Sequence, residues 1–174
     1  AACVPRLQAV VARAPHLPGA LFEPLERAKV PIAIVEGRTD DVLNAADVVI
    51  TASGTATVQT ALHGRPMVIV YRVSPLTYEL GRRFVRVRTF GMPNLLAGRT
   101  IVPELIQDDF TADRVAAEAV RFLTDAAAAA AARQALAEVK ASLGGPGATG
   151  RAADAVLDVV HARGSRAAAL QGQA

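Results

Sequence analysis

The sequence predicts an α/β domain whose core is a parallel β-sheet. Three short, continuous apolar runs carry this prediction, at residues 32–35, 47–51 and 67–71, and such runs are typical of strands buried on both faces. Helix-sized spacers separate the runs, which indicates βαβ units with right-handed crossovers. The 174 residues are enough for one such domain with a sizeable core, or for one domain and a small appendage.

Four helices are predicted before the third strand. Their ranges are 5–14, 21–28, 39–44 and 55–63. The first places Leu7, Val10 and Val11 on one face, and either Thr39 or Asp40 can cap the third. Gly and Pro residues after position 63 end the fourth helix.

The second half is predicted to be mostly helical. We expect a helix from Ser74 to about residue 84, a short strand at 85–90 and a loop at 92–101. Helices are then expected at 103–107, 111–123, 126–143 and 151–161. The alanine-rich helix offers little side chain for a core, so we expect residues 126–163 to pack on a further domain or on a second subunit. A frayed tail is expected from residue 164 onward.

The composition excludes several classes of protein and site. Apolar residues make up 52% of the chain and charged residues 20%, so the chain is not wholly disordered. Aromatic residues make up only 4% and there is no Trp, which leaves few side chains for stacking sugars or bases. The single cysteine, Cys3, excludes an internal disulfide framework and a multi-cysteine zinc site. The net charge of +3 favours anionic partners but is too small to indicate nucleic acid.

The apolar runs and the first residues bear on the context of the chain. No run is long enough to span a membrane, and the first residues lack the pattern of a secretory signal. The chain begins Ala-Ala-Cys-Val-Pro rather than with Met, so we expect it to be part of a longer protein.

The turn after the second strand is the strongest candidate for a binding site. Ligands of open parallel sheets bind beyond the carboxyl ends of strands, and a helix N-terminus there favours a phosphate or pyrophosphate. Gly54 lets a ligand approach the backbone, and Ser53, Thr55 and Thr57 add hydroxyl groups. Gln59, one turn into the helix, can reach sugar hydroxyls or lie on a solvated face. A plain helix cap explains the same residues, and no Lys follows the glycine as in a P-loop.

A basic stretch is the second candidate. Seven arginines and a single acid, Glu79, lie between residues 64 and 99. Four of the arginines alternate with apolar residues: Arg82, Arg83, Arg86 and Arg88. This pattern suits anionic lipid headgroups or a phosphorylated substrate, and it also fits ordinary surface arginines.

The segment at 92–99 is a third candidate, because it is an apolar loop with one amide, Asn94, and one cation, Arg99. Such loops line sites or form buried connections in which the amide satisfies backbone groups. The three histidines are too scattered for a metal set or a nucleophile–base pair, so no metal ligands are predicted.

Four segments in order resemble one protein family. They are LNAADVVITASGTATVQ at 43–59, RPMVIVYRVSPLTY at 65–78, PNLLAGR at 93–99 and VPELIQ at 102–107. Together they resemble the carboxyl-terminal half of lipid-A-disaccharide synthases, continuously over 43–107 and more weakly to the end.

The resemblance implies a Rossmann-like parallel sheet flanked by helices, the carboxyl-terminal half of a GT-B glycosyltransferase. Such an enzyme joins UDP-2,3-diacylglucosamine to 2,3-diacylglucosamine 1-phosphate (lipid X), inverts the anomeric centre and releases UDP. It uses no cofactor or metal, and works in the cytoplasm, peripherally on the anionic surface of the inner membrane. The resemblance leaves open whether the protein forms a homodimer. The basic stretch at 82–88 fits association with the anionic membrane surface.

The resemblance also assigns roles by position. Ser53, Gly54 and Thr55 are expected to meet the diphosphate, and Gln59 stands where the family usually has a Glu suited to ribose hydroxyls. Further cleft residues are expected at Tyr71, Arg72, Asn94, Glu104 and Gln107. The implied division is a UDP-binding domain at 1–125 whose amino-terminal part is incomplete, carboxyl-terminal helices at 126–163 and a disordered tail at 164–174. The catalytic base is expected in an amino-terminal domain outside these residues, so we expect the chain alone to be inactive.

Three other interpretations remain open. Another UDP-sugar enzyme of the same fold, a 2-epimerase or a glycan-forming transferase, would share the Ser-Gly turn but not the segment at 93–99. A non-catalytic module would bind UDP or lipid headgroups without transfer. A degenerate or truncated copy would also explain Gln59.

Overall fold

The computed structural model describes residues 4–74, 89–145 and 147–171. It forms two compact units, Ala1–Lys140 and Ala141–Ala174. The strands are β1 Ala9–Arg13, β2 Ile32–Glu36, β3 Val49–Ala52, β4 Met67–Tyr71 and β5 Glu104–Ile106. The α-helices are α1 Thr39–Ala45, α2 Thr55–Leu62, α3 Met92–Ala97, α4 Ala112–Thr124, α5 Ala126–Ser142 and α6 Ala148–Gln171. Two 3₁₀-helices cover Gly19–Arg27 and Gln107–Asp109.

All the described strands pair in parallel, which confirms the predicted fold class. β1 pairs with β2, with Ala9 opposite Ile32. β4 lies between β3 and β5 in a second sheet, with Ile50 opposite Val68 and Val70 opposite Leu105. The predicted strands at 32–35, 47–51 and 67–71 are thus confirmed to within two residues.

The core lies on the two faces of β4, whose residues from Met67 to Val70 are all buried. Successive side chains of a strand point to opposite faces, and each face has its own cluster. One cluster consists of Ala61, Met67, Ile69, Val102 and Leu136, and the other of Val68, Val70, Leu105, Phe122, Ala129 and Ala132. Helices therefore cover both faces of the sheet, as in other α/β domains.

The alanine-rich helix α5 packs on this sheet. It buries Ala129, Ala132, Ala135, Leu136 and Val139, and three of these residues belong to the core clusters around β4. The expectation that this helix needs another domain or subunit to pack on is therefore wrong. The last helix, α6, continues to Gln171, so residues 164–171 are helical rather than frayed.

The first predicted helix is also wrong. Within residues 5–14 the structure has strand β1, whose sequence AVVAR pairs with β2 over its whole length. A short apolar run is ambiguous between helix and strand, and here the β-branched Val10 and Val11 and the parallel partner favour the strand. The helix predicted at 21–28 is present as the 3₁₀-helix Gly19–Arg27.

The segment predicted as a loop at 92–101 contains helix α3. Pro93 occupies its first turn, where proline is tolerated, and Gly98 ends it in the left-handed conformation, at φ 65°. These two residues therefore mark the start and the end of a helix.

The helix predicted at 103–107 is strand β5 instead. Its central residue, Leu105, is buried beside Val70, so pairing with β4 overrides local helix propensity.

One of the two predicted helix caps is present. Thr111 does cap α4, since its hydroxyl accepts a hydrogen bond from the Arg114 N–H, whereas α1 begins after Arg38 and has no side-chain cap.

Leu136 tests the packing of α5, because it is fully buried against β4. Leu136→Ala should lower the free energy of unfolding by about 2–5 kcal/mol, since it leaves a cavity in the core. Chemical denaturation measures the loss. The exposed Gln134, on the same helix, is the control: Gln134→Ala should change the stability by less than about 0.5 kcal/mol. Equal losses would show that α5 does not pack as described.

Candidate functional site

The carboxyl ends of β3, β4 and β5 lie at one edge of their sheet, because the three strands are parallel. The loops that follow are tied together there. The Ser53 N–H donates to the Val70 carbonyl over 3.1 Å. The side-chain amide of Gln107 exchanges two hydrogen bonds with the backbone of Val73, at 2.7 and 3.1 Å. This edge carries most of the candidate residues.

The turn from β3 into α2 presents hydrogen-bond donors that the described residues do not use. Gly54 has φ 145° and ψ −160°, and no side chain caps the helix. The N–H groups of the first helical residues, Thr55 and Ala56, have no acceptor within a helix, and both residues are exposed. Within the described residues, the hydroxyls of Ser53 and Thr55 form no hydrogen bond. Such a helix terminus suits a phosphate group.

Thr57 holds this turn in place. Its hydroxyl donates to the Gly54 carbonyl over 2.6 Å and its N–H donates to the same oxygen over 3.0 Å. The Thr57 side chain is fully buried. The hydroxyl predicted as a ligand donor therefore acts as a positioning group for Gly54.

Gln59 lies in a polar cluster between α1 and α2. Its side-chain amide donates to Asp40 Oδ1 over 2.9 Å. His63 Nε2 lies 2.9 Å from the same oxygen, and His63 Nδ1 lies 2.9 Å from Asn44 Oδ1. The hydrogen bond from Gln59, and after it that from His63, lowers the pKa of Asp40. A Glu at position 59 would set two carboxylates side by side, which is unfavourable.

One atom of Gln59 remains available. Within the described residues its Oε1 forms no hydrogen bond and is not among the buried polar atoms that lack a partner. Because Asp40 takes the NH₂ group, the amide oxygen of Gln59 is left as an acceptor open to solvent.

Asn94 is a buried structural residue. Its Nδ2 donates to the Val102 carbonyl over 2.8 Å and to Glu104 Oε1 over 2.6 Å. Its Oδ1 accepts from the N–H groups of Ile101 and Val102, at 2.7 and 3.0 Å. All the hydrogen-bonding capacity of the amide is used within the chain. Asn94 therefore satisfies backbone groups, as one of the two alternatives has it, whereas Met92, Leu95 and Leu96 of the same segment are exposed.

Glu104 clamps the start of α3 in the same way. Its two carboxylate oxygens accept from the N–H groups of Phe90 and Gly91, at 2.7 and 3.0 Å. A Cβ on Gly91 would lie 2.9 Å from Glu104 Oε1 and still closer to Ile69, so any other residue would have to displace these two side chains.

Tyr71 is the last residue of the central strand β4 and Arg72 follows it. Both residues are exposed. The Arg72 guanidinium donates to the Phe110 carbonyl over 2.8 Å and lies 5.1 Å from the centre of the Phe110 ring. Within the described residues the Tyr71 hydroxyl forms no hydrogen bond. Of these two candidates, Tyr71 is therefore the one whose polar group makes no hydrogen bond within the described residues.

Sequence reasoning missed the cluster around Asp40. The signal was the spacing of four residues between Gln59 and His63 and between Asp40 and Asn44, which places each pair on one helix face. The arginines at 82, 83, 86 and 88 lie outside the described residues.

A second feature of the described residues is a cavity of about 250 Å³ between the first 3₁₀-helix and the sheet of β1 and β2. Arg13, Phe22 and Ile34 line it. The Arg13 side chain lies over the Phe22 ring and 3.4 Å from the Glu36 carboxylate, so its charge already has a partner.

The described residues contain neither a metal-ion cluster nor a membrane-spanning helix. No group of three or more His, Cys, Asp or Glu side chains there could hold a metal ion. No described helix combines the length and the apolar character needed to cross a membrane.

Comparison with known proteins decides the family. The sequence profile described as Lipid-A-disaccharide synthetase matches residues 6–157. The chain belongs to the lipid-A-disaccharide synthetase family. The lipid-A-disaccharide synthases of Geobacter sulfurreducens and Anaeromyxobacter dehalogenans are each 45% identical to it over 90% of the chain. The synthase of Myxococcus xanthus is 41% identical over the same share.

The chain matches only part of the length of these relatives. It spans 41% of the length of the Geobacter and Myxococcus proteins and 42% of the Anaeromyxobacter protein.

The conformational requirement for glycine at position 54 can be tested separately from steric contacts. A Cβ would meet no atom within 4 Å there, but φ lies at 145°. Gly54→Ala should therefore cost about 1–3 kcal/mol of stability through the backbone alone, measured by denaturant unfolding. Gly19 also has open space around its Cβ position and no positive φ, so Gly19→Ala should cost nothing. Equal effects of the two substitutions would contradict the strained turn.

Asp40 reports on the cluster with Gln59. Gln59→Leu removes the largest cause of the lowered pKa of Asp40, so this pKa should rise towards the ordinary carboxyl value. A lowered carboxyl pKa stabilises the fold above the unfolded-state pKa, and this contribution is lost as the pH falls through the folded-state pKa. NMR titration of the Asp40 carboxyl carbon measures the shift. Gln134→Leu should leave the titration of Asp40 unchanged; a Gln59→Leu titration identical to it would show that the pair does not form.

Proposed function

We propose that this chain is the donor-binding part of a lipid-A-disaccharide synthase. The complete enzyme would transfer 2,3-diacylglucosamine from UDP to the sugar hydroxyl of lipid X, and would release UDP. Two findings support the proposal: the chain belongs to this family, and a helix N-terminus without a side-chain cap lies at the carboxyl edge of a parallel sheet.

The β3–α2 turn is the observation that carries the proposal. The diphosphate of UDP would accept hydrogen bonds from the N–H groups of Thr55 and Ala56 and from the hydroxyl of Ser53. Gly54 leaves the backbone uncovered on that side, so the anion can approach closely. The helix terminus adds about half a positive charge. The open Oε1 of Gln59 would accept from a ribose hydroxyl, one turn further along the helix.

This arrangement would act on the leaving group. When the acceptor hydroxyl attacks the anomeric carbon, the bond to the β-phosphate oxygen breaks and that oxygen gains negative charge. Fixed N–H donors at the helix terminus stabilise such charge without having to reorganise. We propose attack on the face opposite to UDP, hence inversion, with the acceptor proton passing to a base outside these residues.

The other candidate residues have different proposed roles. Asn94, Glu104 and Gln107 would shape the cleft by fixing its backbone, because their polar groups are bonded to the chain itself. Tyr71 and Arg72 would border it. The arginines at 82, 83, 86 and 88 would hold the enzyme on the anionic cytoplasmic surface of the inner membrane.

The proposal further assigns catalysis to the assembled protein. The chain spans only 41% of a relative's length, and its described residues present no base at the turn. The isolated chain should give no disaccharide from the two lipid substrates. Sustained turnover by the chain alone would contradict this assignment.

Isothermal titration with UDP tests the site. Ser53→Ala should weaken UDP binding by about tenfold or more, because a hydrogen bond to a charged group contributes about 1.5–3 kcal/mol. Thr100→Ala removes an exposed hydroxyl in the loop that enters β5 and should leave the affinity unchanged. If both variants bind UDP as the unmodified chain does, Ser53 does not contact the nucleotide. If the unmodified chain binds no UDP, the proposed function of this turn is wrong.

A further inference from the structure

A line of polar side chains runs along one face of α2. Thr55, Gln59 and His63 follow one another at intervals of four residues, which places them on the same side of a helix. Thr55 lies at the open start of the helix, and Gln59 lies about 6 Å further along its axis. This face therefore leads from the proposed phosphate site to the polar cluster between α1 and α2.

Asp40 sets the direction of the hydrogen bonds in this cluster. Gln59 Nε2 and His63 Nε2 each lie 2.9 Å from Asp40 Oδ1. The hydrogen bond from Gln59, and after it that from His63, lowers the pKa of Asp40, so its carboxyl group is ionised at neutral pH. An ionised carboxylate accepts hydrogen bonds and donates none. Both neighbours must therefore turn an N–H group towards Asp40.

The Asp40 carboxylate is itself held by the end of α2. His63 follows the last residue of α2, and its Nδ1 lies 2.9 Å from Asn44 Oδ1. Asn44 stands one turn after Asp40 on α1, and its carbonyl accepts a hydrogen bond from the Arg65 guanidinium. The helix α1 also packs against β1 and β2. These contacts fix the position of Asp40 relative to Gln59.

The bond to Asp40 decides which end of the Gln59 amide is offered to a ligand. The oxygen and the NH₂ group of a planar amide point in different directions. Because the NH₂ group is bonded to Asp40, Oε1 is turned away from it, and this oxygen forms no hydrogen bond within the described residues. A freely rotating amide would offer either group. An amide that already presents its acceptor loses less rotamer entropy when a ligand binds.

The exposure of the cluster argues against a purely structural role. The Asp40 side chain is 70% exposed, and exposed polar pairs contribute little to stability. Gln59 differs in this respect from Asn94, a fully buried amide whose nitrogen and oxygen are both bonded to the chain. The fold therefore gains little from the fixed orientation of Gln59, whereas a bound ligand gains a positioned acceptor.

We propose that Asp40 is a positioning residue of the nucleotide site and makes this site select ribonucleotides. It turns the Gln59 amide so that Oε1 accepts a hydrogen bond from a hydroxyl of the ribose next to the diphosphate. His63 supports Asp40 by bonding to the same carboxylate oxygen. The inference rests on the proposed function, because it requires the diphosphate at the start of α2.

The proposal makes positions 40 and 59 depend on each other. Gln59→Glu alone would set two carboxylates side by side, and like charges at this distance repel, so the new side chain would lose its orientation. If Asp40→Asn is made as well, the new amide at position 40 can donate to the new carboxylate at position 59. The second oxygen of that carboxylate then stays open for the ribose.

Isothermal titration of the chain with two nucleotides tests the proposal. The nucleotides are UDP and 2′,3′-dideoxyuridine 5′-diphosphate, which lacks both ribose hydroxyls. The unmodified chain should bind UDP about three- to tenfold more tightly, the effect of one hydrogen bond between uncharged groups. In Asp40→Ala this preference should disappear, because the Gln59 amide is no longer held in one orientation.

Asp41→Ala is the matched control. Asp41 is the next residue of α1, is exposed and pairs with Arg38. Its substitution changes the net charge of the chain by the same amount as that of Asp40. The preference for UDP should persist in Asp41→Ala, and both variants should bind the dideoxy nucleotide equally tightly.

The outcomes distinguish a failure of this inference from a failure of the proposed function. A chain that binds neither nucleotide would refute the UDP site and the inference with it. Equal affinity of the unmodified chain for both nucleotides would leave the phosphate site standing and show that Gln59 does not contact the ribose. If Asp40→Ala weakens the binding of both nucleotides equally, or keeps the preference for UDP, Asp40 does not orient the amide.

A rescue experiment separates orientation from damage to the fold. Gln59→Glu should abolish the preference for UDP, and the combination of Gln59→Glu with Asp40→Asn should restore it to at least the level of the unmodified chain. A cluster with only a structural role would show no such recovery. A double variant that binds the two nucleotides equally would contradict the proposal.

Discussion

The Gly54 carbonyl connects the candidate site to the core. Two hydrogen bonds from Thr57 hold this oxygen, at 2.6 and 3.0 Å, and Thr57 is itself buried. The preceding Ser53 N–H is fixed on β4, at the Val70 carbonyl. These three hydrogen bonds hold the turn in place, and the N–H groups of Thr55 and Ala56 at the start of α2 have no acceptor within a helix. Donors that are held in place before a ligand arrives are what a phosphate site requires.

The polar residues around the sheet divide into two kinds. Asn94, Glu104 and Gln107 have the amide and carboxylate groups expected of ligand contacts, yet they hold the loops around β5 and α3 by bonding to backbone groups. Their effect on a ligand would be indirect, through the shape of the edge. Gln59 is of the other kind, because Asp40 fixes its NH₂ group and leaves its oxygen open. The presence of Gln is consistent with Asp40 as its neighbour, since a carboxylate at position 59 would face a second carboxylate.

Local sequence patterns predicted the part of the fold that carries the site. Apolar runs bounded by Gly and Pro identified β2, β3 and β4, and the Ser-Gly turn identified the start of α2. The patterns failed where a distant partner decides the structure. β1 and β5 are short segments whose pairing with β2 and β4 makes them strands, and no local signal contains that pairing. The partners of Gln59 and Asn94 could not be predicted either. Asp40, which bonds to Gln59, lies in another helix. Asn94 bonds mainly to backbone groups of residues 101 and 102, which any side chain there would offer.

The account depends on the β3–α2 turn as the place where the diphosphate of UDP binds. The most direct measurement is an NMR titration of the protein with UDP that follows each backbone amide. The largest chemical-shift changes should occur at the N–H groups of Gly54, Thr55 and Ala56, at the open start of α2. Changes centred instead on the cavity lined by Arg13, Phe22 and Ile34, with the amides of the turn unmoved, would contradict the account.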